Sequence, residues 1–81
     1  MSVIGKELRK LRLKEGLTQE EVGLAAGVSR EYVSMLEADK NMPTLDVFIR
    51  LCHAVNAYPA DVVARLDHAF QTQTTPNRKR S

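Results

Sequence analysis

The chain has 81 residues, enough for one small domain near the size at which a core holds without staples. Its single cysteine, Cys52, excludes an internal disulfide, and no apolar run reaches membrane-spanning length, so a soluble cytoplasmic protein is expected. The net charge of +2 divides unevenly: Arg78, Lys79 and Arg80 lie in the last stretch, and residues 1 to 70 carry −1. An anionic partner must then be met by local placement of charge, not by a basic field. Residues 1 to 16 have such a bias, with Lys6, Arg9, Lys10, Arg12 and Lys14 against Glu7 and Glu15.

Five helical segments are predicted, with no strand and no internal repeat. Ile4, Leu8, Leu11 and, less neatly, Leu13 recur at helical spacing until "EGL" at 15 to 17 ends the first helix. Thr18 with Glu21 forms a capping box, and Leu17 with Val22 a hydrophobic staple, for a second helix over 19 to 26 that stops at Gly27. Ser29 caps a third helix to about residue 37, with Val28 and Val33 as a second staple. Thr44 caps a fourth, whose apolar side is read as Leu45, Phe48, Ile49, Cys52 and Val55, and Asn56 takes the left-handed position after it. Pro59 opens a fifth helix carrying Val62, Val63, Leu66 and Phe70. Residues 1 to 70 are read as the domain, and residues 71 to 81 as a disordered basic tail.

Helices of eight or nine residues are marginal in water alone, so the second and third must be held by packing. Two such helices joined by a tight glycine-containing turn form a helix-turn-helix, whose second helix can enter the DNA major groove. At 100° per residue, Val33 and Leu36 point inward with Glu37 near them. Arg30, Ser34 and Ala38 point outward, with Glu31 and Met35 on the adjoining arc and Tyr32 at the boundary. Arginine can donate two hydrogen bonds to guanine, glutamate can accept from cytosine, and serine pairs with several bases.

Residues 16 to 57, "GLTQEEVGLAAGVSREYVSMLEADKNMPTLDVFIRLCHAVNA", with "LRKLR" at 8 to 12, resemble the Cro/C1-type (XRE) helix-turn-helix family. The resemblance covers about residues 4 to 66. It implies an all-α, compact five-helix lambda-repressor-like domain that binds double-stranded operator DNA, commonly as a homodimer. It also implies base reading by Ser29, Arg30, Glu31, Ser34 and Met35, and phosphate contacts from Gln19, Tyr32, Lys40 and Asn41. A structural ion pair between Arg12 and Glu37 is implied as well. Three positions depart from the family pattern. "EADKN" lacks the glycine usual after the third helix, Gly23 replaces a usual alanine, and "AYPAD" lacks a serine or threonine cap.

Val62, Leu66 and Phe70 are read either as a dimer stripe or as core completing the fold. The basic tail is either a phosphate-binding arm or a solubilising end. A chain of this length suits control by its own concentration, as in phage repressors, restriction–modification controllers or antitoxins. A protein-interaction module that binds a toxin is the alternative function. Catalysis is not expected: Cys52 and His53 are adjacent and assigned to the helix-four flank, His68 to the surface, and no cofactor, metal or small-molecule motif is present.

Overall fold

The computed structural model describes residues 3–73, in which the chain forms five α-helices and no strand. They are α1 (Val3–Lys14), α2 (Gln19–Ala26), α3 (Arg30–Glu37), α4 (Leu45–Ala54) and α5 (Pro59–Gln73). Their starts follow the capping chemistry. The Thr18 hydroxyl accepts from the Glu21 amide at 3.0 Å while Glu21 Oε1 accepts from the Thr18 amide at 2.8 Å. Ser29 and Thr44 accept from the amides of Tyr32 and Val47 in the same manner. The start of α5 has no side-chain cap; the Tyr58 carbonyl accepts from the amides of Asp61 and Val62 instead.

The left-handed positions fall at Gly16, Gly27, Asp39 and Asn56. Asp39, at φ 63°, does the work of the glycine missing after α3, and aspartate is among the few residues that tolerate this conformation.

The core gathers Leu8 and Leu11 of α1, Val22 and Ala26 of α2, Val33 and Leu36 of α3, Phe48, Leu51 and Cys52 of α4, Val55 after it, and Val62 of α5. The predicted apolar side of α4 needs correction. Leu45 and Ile49 are exposed, because they lie past the edge of the buried arc, and Leu51 takes the inward place. His53 likewise faces outward beside the fully buried Cys52. Burial pushes the Cys52 thiol up to about 11, opposed in part by Arg65, so the sulfur stays a neutral core atom. The helix of α5 continues three residues past the predicted end of the domain; the remainder of the predicted tail lies outside the described residues.

Two glycines set how closely the helices approach. A Cβ on Gly23 would stand 2.7 Å from the Val28 carbonyl oxygen, so the small residue lets α2 lie directly against the turn that follows it. A Cβ on Gly5 would press into the Leu36 carbonyl oxygen and stand 3.2 Å from that of Glu37, which holds α1 against the end of α3. Backbone cannot swing aside as a side chain can. Gly5→Ala should therefore lower stability by roughly 1–3 kcal/mol despite alanine's better helix propensity, as read by urea denaturation. An unchanged or raised midpoint would mean the α1–α3 spacing is not tight.

Candidate nucleic-acid interface

The α2–turn–α3 unit is built to present one helix. Val33 and Leu36 sink the inner side of α3 into the core, while Ser29 fixes its start. Its end is held by charge. Arg12 grips Glu37 with two bonds, Nε to Oε2 at 2.6 Å and Nη2 to Oε1 at 2.9 Å. Both side chains are nearly out of water, 11 % and 6 % exposed. The bonds to Glu37 raise the Arg12 guanidinium above its already high ordinary value, against a smaller lowering by burial, so the pair stays charged.

The remaining valences are used too. Arg12 Nη1 donates to the Leu17 carbonyl at 2.9 Å, and Gln19 Nε2 donates to Glu37 Oε1 at 3.1 Å. One carboxylate thereby ties α1, the turn before α2, the first residue of α2 and the last of α3 into a single polar joint. Its geometry sets the tilt of α3.

On the outer side, Arg30, Glu31 and Met35 are exposed, whereas Ser34, expected to point fully outward, is half-buried. Arg30 Nη2 lies 3.7 Å from Glu31 Oε2 with both side chains in solvent, a contact too long and wet to lock either. Tyr32 is half-buried and packs against the core at the rim of this face. Ser29 is exposed, but its hydroxyl already accepts the cap bond. The Arg30 and Glu31 amides precede the first possible intrahelical acceptor and stay open to an anion.

Beyond α3, the Lys40 amide closes the turn on the Met35 carbonyl at 2.8 Å, which leaves the exposed Lys40 and Asn41 side chains beside the same helix. Asn41 Oδ1 accepts from the Met42 amide at 2.9 Å, and this braces the loop.

Two features of this joint escape a reading of the chain alone. Gln19, expected on a phosphate, holds Glu37 in the free protein with one amide hydrogen and keeps the other. The Leu17 carbonyl is the third ligand of Arg12, and no residue type marks a backbone acceptor. Of the apolar stripe on α5, Val62 is 0 % exposed and belongs to the core, not to an interface. Leu66 is half-buried against that core and Phe70 is 58 % exposed, with Val63 exposed on the same flank. Among the described residues no group of three or more His, Cys, Asp or Glu could hold a metal ion, and no helix is long and apolar enough to cross a membrane.

An all-α domain with a capped helix-turn-helix and an open, polar second helix is the architecture of a DNA-binding regulator. Comparison with known proteins agrees, since a helix-turn-helix family model matches residues 8–63. The chain belongs to the Cro/C1-type helix-turn-helix family of transcriptional regulators. It is 34 % identical over 65 residues to y4dJ, an uncharacterized HTH-type transcriptional regulator of Sinorhizobium fredii, covering 80 % of this chain and 84 % of that protein. The clp gene regulator ClgR of Corynebacterium glutamicum superimposes with a TM-score of 0.78 at 31 % identity, over 86 % of this chain and 74 % of that one. The restriction–modification controller C.AhdI of Aeromonas hydrophila gives 0.70 at 30 % identity, over 73 % and 86 %.

Proposed function

We propose that this regulator reads a near-palindromic double-stranded operator as a homodimer, with α3 in the major groove of each half-site. The observation that carries the reading is a helix clamped at both ends and from beneath, with solvent-exposed polar side chains on its open side. Arg30 supplies a bidentate donor for guanine, Glu31 an acceptor for cytosine, and Ser34 and Met35 extend the contact along the groove. Lys40, Asn41, Tyr32, the free amide hydrogen of Gln19 and the open amides at the start of α3 fix the docking through phosphates.

One α3 spans too few base pairs for genomic selectivity, and two-fold pairing doubles the site. Phe70 and Val63, with the exposed edge of Leu66, form the apolar surface for that pairing; Val62 does not contribute. Selection from random duplexes should enrich an inverted repeat whose half-sites lie about one helical turn, roughly 34 Å, apart. Sedimentation should show a dimer on that duplex. Failure to enrich any sequence would remove the operator reading, and a monomer both free and bound would remove the pairing.

A further inference from the structure

We propose that the outer face of α1 is a docking surface for an acidic, amphipathic protein segment. The other sides of α1 are occupied. Leu8 and Leu11 enter the core, Gly5 and Arg12 meet α3, and Glu7 Oε2 accepts from Arg65 Nε of α5 at 2.8 Å. What remains is an exposed arc holding Lys6, Arg9, Lys10, Leu13 and Lys14. At 100° per residue Leu13 falls between Arg9 and Lys6, with Lys10 beyond, so an apolar side chain 55 % exposed stands inside a ring of cations.

The fold gains little from this arrangement beyond the favourable place of Lys14 in the last turn of α1. Among the described residues none of the four cations has a carboxylate within salt-bridge range. Lys6 with Lys10, and Lys10 with Lys14, are like charges at i, i+4, each pair costing a few tenths of a kcal/mol to α1. The charge is also segregated: residues 3–16 hold five basic and two acidic side chains, whereas residues 17–73 hold four basic and eight acidic. The face attracts an acidic partner.

Leu13 decides which polyanion fits. A sugar-phosphate strand offers a leucine little apolar surface, whereas an acidic amphipathic helix carries an apolar stripe bordered by carboxylates. α1 meets α3 through its Gly5 and Arg12 flank, and Lys6, Lys10, Leu13 and Lys14 lie on the arc turned away from that contact, with Arg9 at its border. The peptide titration reads this face without DNA, and the inference stands whether or not the operator reading holds.

The test titrates the full chain with a fluorescent helical peptide of about 16 residues, glutamate-rich with leucines at i, i+3, i+4 and i+7. A control peptide has serine at the leucine positions, and a random duplex is titrated separately. The amphipathic peptide should bind at least about tenfold more tightly than the control, and Leu13→Ala should cost roughly tenfold. Lys6→Glu with Lys10→Glu should abolish peptide binding with the circular dichroism melt retained; Lys6→Ser with Lys10→Ser serves if the reversed charges disturb folding. Equal binding of the two peptides, no binding of either, or binding indifferent to these substitutions would overturn the proposal. So would variants that lose duplex affinity instead of peptide affinity, since the face would then be a phosphate contact.

Discussion

Glu37→Ala should unfold this protein under conditions where the wild type is fully native. The substitution leaves the Arg12 guanidinium, 11 % exposed, with the Leu17 carbonyl as its one remaining acceptor and no counterion. Removing one member of a buried ion pair costs about 3–5 kcal/mol, mostly from the stranded charge. A chain of this size has roughly 4–12 kcal/mol in total. The thermal midpoint should fall by roughly 15–30 °C, followed by circular dichroism. Glu37→Gln keeps the shape and one acceptor oxygen and should lie between. Arg12→Met combined with Glu37→Leu removes both charges and should recover much of the loss. A midpoint for Glu37→Ala within a few degrees of wild type would mean that helix packing alone holds α3.

Arg30→Ala should do the reverse, leaving the fold intact and weakening recognition. The side chain is 56 % exposed and its one ion pair among the described residues is a loose contact with Glu31, so stability should change by no more than about 0.5 kcal/mol. A bidentate arginine–guanine contact gives roughly 1–3 kcal/mol of discrimination, which is about five- to 150-fold in affinity for the selected operator over a variant at that base. Lys40→Ala provides the contrast. A phosphate contact should weaken all sequences alike and reduce the salt slope by about one. Intact sequence preference in Arg30→Ala would move the reading face elsewhere on the domain.

Local chemistry was legible in the chain. Thr18, Ser29 and Thr44 cap because each offers a side-chain oxygen to an amide three residues on, and Gly27 and Asn56 end helices because they accept a left-handed backbone. These are interactions of a few residues, and spacing alone specifies them. The outward set on α3 follows in the same way, since Val33 and Leu36 orient the whole short helix. The apolar side of α4 is less legible because its contact is lopsided: Leu45 and Ile49 share an arc with Cys52, yet they lie beyond the edge of what the core covers.

The helix boundaries, the turn chemistry and the polarity of α3 thus belong to the sequence, because each depends on neighbours within about one turn. Tertiary structure alone decided that Val62 is core while Phe70 stays open, that Gly5 meets the carbonyl of Leu36, that Gln19 leans on Glu37, and that Glu7 pairs with Arg65 across 58 positions. Such contacts join residues that no periodicity relates. Which of them form depends on how five short rods share one small core, and that is settled by packing among all of them together.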